Sequence, residues 1–238
     1  MSIRFKLTLL VVLVLLLLTS VIGTYSVLAM RDRLIESAQI KLKSDLNMAR
    51  NLIDSTYPGP WNIQGDKLYK GNVPMNENYQ LVDSIGQMTG DTVTVFMGDI
   101  RITTNVKTAE GKRAVGTRSA AEVTQAVLKE GQTFLGKAQV VGNWNQTAYE
   151  PIKDQQGSII GMLYTGVPNN IYDETVRVFA EKIILAGAVV LVASIIFCFF
   201  IMRQIFAKPF AGFLSFSQNI ASGDLTKEID YRSGDELG

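Results

Sequence analysis

Two stretches of this 238-residue chain carry no charge at all: Leu7 to Met30, 24 residues, and Ile183 to Met202, 20 residues. A helix rises about 1.5 Å per residue and the hydrocarbon core of a bilayer is about 30 Å thick, so each stretch is long enough to cross. The Leu/Val run from Leu9 to Leu18 is apolar on every side, as lipid requires. In the second stretch Gly187, Ala188, Ala193 and Ser194 offer small faces that a neighbouring helix could approach. Arg4 and Lys6 precede the first span, and Arg203 and Lys208 follow the second, which predicts that both termini are cytoplasmic. At the outer ends Arg31, Arg33 and Lys182 alternate with Asp32 and Glu181. The first stretch also has the basic start of a cleaved signal, and Val27-Leu28-Ala29 would pass as a cleavage site. Its apolar region is longer than the usual 7–15 residues or so of such signals, and a retained helix is expected.

The layout is therefore a cytoplasmic N-terminus (1–6), a span (7–30), an extracytoplasmic segment (31–182), a second span (183–202) and a cytoplasmic tail (203–238). The middle segment holds 17 Lys+Arg and 17 Asp+Glu, so it is neutral, and no basic stripe points to nucleic acid. The one cysteine, Cys198, lies inside the second span, so no intramolecular disulfide can form. The chain has no histidine. That removes His-based triads, His-ligated zinc and a phospho-accepting histidine within this stretch. No nucleophile–base pair, distinctive carboxylate pair or metal-ligand spacing is visible, so neither an enzyme nor a cofactor is expected.

Past the first span, Leu34, Ala38, Leu42, Leu46, Ala49 and Ile53 recur at steps of four, four, four, three and four. This predicts an amphipathic helix continuous with the span and ending near Tyr57-Pro58-Gly59-Pro60. Its apolar stripe must meet either the rest of the domain or its copy in a partner. Residues 62–70 read as a hairpin turning at Gly65-Asp66, and 76–88 as a short helix stopped by Gly90. Thr92–Met97 and Ile100–Val106 read as strands joined at Gly98-Asp99. Ser119 with Glu122 resembles a capping box opening a helix that ends at Gly131. Strands are expected over 133–141, 144–153 and 158–167. The sum is an α+β sensor domain with a central antiparallel sheet, of PAS-like type.

Within it, Gly59-Pro60-Trp61, Leu68-Tyr69-Lys70-Gly71, Thr89-Gly90-Asp91-Thr92-Val93-Thr94-Val95-Phe96, Thr104-Asn105-Val106, Arg113-Ala114-Val115-Gly116-Thr117 and Tyr149-Glu150-Pro151-Ile152-Lys153-Asp154 form a set, continued by Gly157 and Ile160-Gly161-Met162. The set resembles the single Cache domain of bacterial methyl-accepting chemotaxis proteins, over residues 31–182. The resemblance implies an extracytoplasmic ligand binder, commonly for small organic acids.

In the tail, Phe206, Phe213 and Ile220 are seven apart, as are Pro209 and Phe216, which is a heptad seam. Pro209 suits a first helical turn, and Gly223-Asp224 suits its end. With Leu225 and Asp235-Glu236-Leu237-Gly238, this stretch resembles the opening of a HAMP domain. That implies a homodimeric relay to a cytoplasmic chemotaxis module, through a second helix and a signalling region that the chain would need beyond Gly238. The chain then reads as a fragment of a longer receptor or a truncated product. The same front end could serve a histidine kinase or a cyclic-nucleotide enzyme; an anchored extracellular enzyme is the third reading.

A carboxylate ligand wants a guanidinium fork plus hydroxyl or backbone donors. The candidates are Arg101, Arg113 and Arg118. Simple alternation along 100–106 places Arg101, Thr103 and Asn105 on one face and Ile100, Ile102 and Thr104 on the other. Arg113 and Arg118 flank Gly116-Thr117, a loop entering a helix, where backbone N–H groups favour anions. Trp61, Tyr69, Phe96, Trp144, Tyr149 and Tyr164 could wall a pocket or simply fill the core. Tyr149 and Tyr164 are singled out because each carries a hydroxyl on a strand expected to be central. Val167-Pro168 should close the last strand and feed directly into the helix entering the membrane. The expected signal is a small displacement of that helix.

Overall fold

The computed structural model of the chain describes residues 3–201 and 208–222. The first helix, α1, runs unbroken over Ile3–Thr56, as the continuous apolar pattern predicts. Ala38, Leu42, Leu46, Ala49 and Ile53 are all buried, so the four-residue stripe faces the domain's own core. A small three-stranded antiparallel sheet follows, in the order β1 (Trp61–Gln64), β2 (Lys67–Lys70), β3 (Val73–Pro74). Its first two strands are the expected hairpin; the third strand was not foreseen.

Helix α2 (Tyr79–Thr89) begins three residues later than expected, because the Asn78 side chain caps it by accepting from the Leu81 N–H. It ends at Gly90, whose φ of 78° is the left-handed cap that glycine adopts without penalty. The main sheet comprises β4 (Thr92–Met97), β5 (Ile100–Thr104), β6 (Phe134–Val140), β7 (Asn143–Lys153) and β8 (Ile159–Pro168). It is antiparallel throughout, in the order β5-β4-β8-β7-β6, so the last strand in sequence is the central one.

The sheet has two covered faces. Under one lie α1 and α2, with Val93, Val95, Ala148, Ile152 and Leu163 packed against Leu42, Leu46, Ile53, Val82 and Ile85. Under the other lies the long β5–β6 connection, which packs Val106, Ala114, Val123 and Val127 against Phe96, Tyr149, Met162 and Tyr164. That connection carries α3 (Ala121–Val123), which continues as a π-helix over Thr124–Lys129. The expected capping box does not form. Ala120 occupies the cap with no side-chain bond, and Ser119 Oγ pairs with Thr124 Oγ1 at 2.8 Å.

Residues 29–177 make one compact unit, and residues 1–28 with 178–238 make another. The second unit contains the two segments apolar enough to cross a membrane, whose spanning windows are not buried within the protein. Within it Gly23 faces Ile183, and a groove of about 520 Å³ is lined by small residues including Ser20, Gly23, Ala180, Gly187 and Ala188. Helix α4 (Asn170–Ile201) follows β8 with the single residue Asn169 between them, and α5 (Lys208–Ala221) has Pro209 in its first turn. The strings Gly223-Asp224-Leu225 and Asp235-Glu236-Leu237-Gly238 lie outside the described residues.

Candidate functional site

Arginine side chains are rarely buried without a partner, because desolvating a guanidinium costs several kcal/mol unless its donors are met. Arg101 is only 1 % exposed. Its Nη1 donates to Thr117 Oγ1 at 2.7 Å and to the Arg118 carbonyl at 3.2 Å. Nε and Nη2 are buried and have no hydrogen-bond partner, and among the described residues no carboxylate pairs with it. The guanidinium lies over the Phe96 ring, 4.9 Å from its centre. Burial draws its pKa down, while Tyr149 and Tyr164 beside it push back.

The Tyr149 ring sits at the centre of an aromatic group, 4.8 Å from Tyr164, 6.0 Å from Phe96 and 6.1 Å from Phe134. Its hydroxyl is buried close to Arg101 yet makes no hydrogen bond of normal geometry. Burial pushes its pKa up, as does Tyr164, so the phenol stays protonated and available as a donor. Tyr164 is fully buried and also raised, chiefly by burial. Its hydroxyl is satisfied by Thr92 Oγ1 at 2.9 Å and by Asn145 Nδ2 at 3.3 Å. Thr92 and Asn145 in turn line an open cavity of about 480 Å³, together with Lys107, Asn143, Trp144 and Asp173. Tyr164 thus links the buried aromatic group to the cavity through the two lining residues that its hydroxyl bonds, Thr92 and Asn145.

The structure brings together Arg101, Tyr149 and Tyr164 and separates them from the other sequence candidates. A register shift between Val95 and Phe96 makes Ile102 an extra residue in β5: Phe96 pairs with Arg101, and Val95 with Thr103. Alternation therefore breaks. Thr103 stands opposite Val95, a residue of the α1/α2-side core, whereas Thr104 Oγ1 meets Thr94 Oγ1 at 2.6 Å on the Tyr164 side. Asn105 reaches Val82 and Asp91, away from Arg101. The shared face expected for Arg101, Thr103 and Asn105 is corrected by this bulge.

Arg113 is a strut: it forks onto Asp83 of α2 at 2.9 and 2.7 Å, donates to the Thr104 carbonyl at 2.8 Å, and lies over Tyr79. Arg118 is exposed and paired with Asp99 Oδ2 at 2.6 Å; only its backbone carbonyl touches Arg101. Of the aromatic candidates, Phe96 joins the site, Trp61 packs against the α1 side, and Trp144 is half exposed at the open cavity, with Lys137 over its ring. Thr117 and Asn145 were missed. Thr117 lies within a string already singled out, but nothing in it marks that hydroxyl as the anchor of an arginine sixteen residues earlier.

The chemistry of the Arg101 group is that of an anion receptor: a desolvated cation with two free donors, a free phenol donor, and aromatic walls. The group lies on one face of the sheet, in a unit whose chain continues into two membrane-length apolar helices. Residues 73–178 match the family described as single cache domain 3. Among solved structures, the chain is similar to the sensor domain of DcuS from E. coli, at 12% identity and a TM-score of 0.34, over 63% of this chain and 98% of that one. No curated protein sequence matches the chain.

Proposed function

We propose that this chain is the sensing and membrane-spanning part of a homodimeric chemoreceptor, with residues 31–182 outside the cell membrane and both termini in the cytoplasm. Its ligand is a small anion, most simply a short carboxylate, held by Arg101 and Tyr149 without metal or covalent chemistry. The observation that carries this reading is the buried Arg101, whose Nε and Nη2 have no partner. A native interior rarely leaves such donors unmet, and a bound carboxylate would meet both and neutralise the charge. The output is relayed through a HAMP-type connector to chemotaxis proteins that engage a region beyond Gly238; a histidine kinase or a cyclic-nucleotide enzyme, which such a connector serves equally, is the second reading.

The test is thermal-shift screening of the full chain in lipid nanodiscs against organic acids, amino acids and purines. A ligand at a hundred times its dissociation constant adds about 2.7 kcal/mol to the folded state. Stabilisation by carboxylates that disappears in Arg101→Met is the expected result; stabilisation only by neutral or cationic compounds would refute the anion reading. Mass determination of the membrane-extracted protein checks the retained first span, since a mature N-terminus near Met30 would contradict it. A catalytic domain encoded after Gly238 in the parent gene would overturn the chemotaxis output.

A further inference from the structure

Lys41, Asp45 and Asp91 form a second polar cluster, distinct from the Arg101 group and on the opposite, α1 side of the sheet. Lys41 and Asp45 stand one turn apart on α1, and Asp91 sits in the turn from α2 into β4. Lys41 Nζ donates to Asp45 Oδ2 at 2.5 Å, to Asp91 Oδ1 at 2.6 Å and to the Thr89 carbonyl at 3.1 Å. One ammonium thus holds two carboxylates from two elements. The Asp91 side chain has no solvent exposure, and its Oδ2 has no hydrogen-bond partner. When ionised, that carboxylate keeps one charged oxygen desolvated and unmet, which is costly.

We propose that Asp91 is a proton-binding site, through which the sensor domain responds to acidification independently of any small molecule at Arg101. Two carboxylates converging on one cation resist being charged together, and the more deeply buried one takes the proton. Here the proton adds to Asp91, which becomes neutral, and the Asp45 carboxylate facing it accepts the new O–H bond while keeping Lys41. The tie from α1 to the α2–β4 turn then changes from an ion pair to a hydrogen bond between two carboxyl groups. Protons reach the cluster from the α1 side, where the Lys41 side chain is 46 % exposed and that of Asp45 18 %.

The surrounding charges agree. Burial pushes the Asp91 carboxyl up to about 6, against the pull of Lys41 and with the help of Asp45. Burial draws Lys41 down, but its bonds to Asp45 and Asp91 outweigh it and hold the ammonium above its usual range. Among the described residues the other titratable groups whose charge is felt at the cluster are tyrosines, Tyr172 from α4 and, from the far face of the sheet, Tyr164 of β8, both raised chiefly by burial and so neutral throughout. The chain has no histidine to compete in this pH range.

The test is infrared difference spectroscopy of the full chain in nanodiscs, following the C=O stretch of a protonated carboxyl group as pH is lowered. One band should titrate with a midpoint near 6 and vanish in Asp91→Asn, which matches the protonated form in shape and charge. Asp45→Asn should move the midpoint down by removing the like charge and leaving a weaker, neutral acceptor, and Lys41→Met should move it up by removing the cation. If Lys41→Met does not fold, the Asp45→Asn shift alone decides the sign. A band that survives Asp91→Asn, or a midpoint in the ordinary carboxyl range, would overturn the proposal, as would a midpoint that Asp45→Asn leaves unmoved.

Discussion

The guanidinium carbon of Arg101 lies 4.9 Å from the centre of the Phe96 ring, its pairing partner across the β4–β5 ladder. The ring gives the cation some of what water would have given, but it cannot satisfy the two free donors. Arg101 is thus a liability to the empty domain and an asset to the occupied one. Replacing even a paired buried charge, with its partner, by well-packed apolar side chains is often neutral or stabilising by about 1–4 kcal/mol. Among the described residues Arg101 has no ionic partner whose attraction would be lost. Arg101→Met should therefore raise the melting temperature of the ligand-free protein while abolishing stabilisation by carboxylates. Calorimetry with and without ligand checks both halves. A fall in the ligand-free melting temperature would mean that Arg101 is structural.

Tyr149→Phe removes only the orphan hydroxyl and keeps the ring contacts to Phe96, Phe134 and Tyr164. Ligand-free stability should change by less than about 0.5 kcal/mol or rise, since no hydrogen bond is lost. Affinity should fall about tenfold, the worth of one hydrogen bond to a charged acceptor. Isothermal titration reads the affinity; an unchanged dissociation constant would remove Tyr149 from the site.

Arg113 and Arg118 should separate from Arg101 in any binding assay. Arg113→Ala breaks the fork onto Asp83 and the bond to the Thr104 carbonyl, and should cost about 1 kcal/mol, because the pair is partly exposed. Arg118→Ala should stay within about 0.5 kcal/mol of wild type, its pair with Asp99 lying at the surface. Neither should weaken carboxylate binding. A tenfold loss in either variant would put that side chain at the ligand after all.

Stability should also depend on pH through Asp91. Its folded-state pKa is raised from the ordinary 3.8 to about 6, so the folded protein binds this proton more tightly than the unfolded chain does. The contribution is fully present below about pH 4 and is lost as pH rises through 6. Against Asp91→Asn, the wild type should therefore lose melting temperature between pH 4 and pH 7. A wild-type minus Asp91→Asn difference that is flat across this window would contradict the raised pKa.

Gly161 of β8 pairs with Met97 of the neighbouring β4, and a Cβ built there would collide with the Phe96 carbonyl oxygen. Backbone cannot step aside cheaply in the middle of a sheet. Gly161→Ala should cost about 2 kcal/mol, read from denaturant melts. A neutral substitution would mean that the strand spacing is looser than described.

What the sequence could disclose was periodic or local. The steps of four from Ala38 to Ile53 gave both the helix and its buried face, and Gly98-Asp99 and Gly65-Asp66 gave two hairpins. What it hid depends on partners far along the chain or on one-residue irregularities. Ile102 is an ordinary strand residue by composition, yet as the extra residue of a bulge it turns Thr103 away from Arg101. The fate of Arg113 was set by Asp83, thirty residues earlier and on another element. Asp91 stood out only as one residue of the string from Thr89 to Phe96, and the approach of Lys41 from α1 is what gives it a separate role. The aromatic pair Tyr149 and Tyr164 could be singled out because they fall on adjacent central strands, which pairing then brings face to face.

The junction from β8 to α4 leaves one residue, Asn169, between sheet and helix. Its N–H donates to the Trp144 carbonyl at 2.9 Å, its Oδ1 accepts from Gln146 Nε2 at 2.8 Å, and its Nδ2 donates to Asp173 Oδ2 at 2.7 Å. If the proposed receptor reading holds, two glycines inserted between Pro168 and Asn169 should leave ligand binding within about twofold while removing ligand-controlled output. Unchanged output would direct attention to α1 instead.

The placement of β8 at the centre of the sheet has a consequence for how the chain is made. β4 and β5 pair as one hairpin and β6 and β7 as another, but nothing joins the two until β8 slides between them. A nascent chain that has reached only Gly157 can hold two open hairpins with four unguarded strand edges, not a domain. Such long-range closure is slow and leaves sticky intermediates. Biogenesis should therefore be gated by the arrival of Ile159–Pro168, and a ribosome that pauses just before that strand would create the species most exposed to proteases and to pairing with a neighbouring chain.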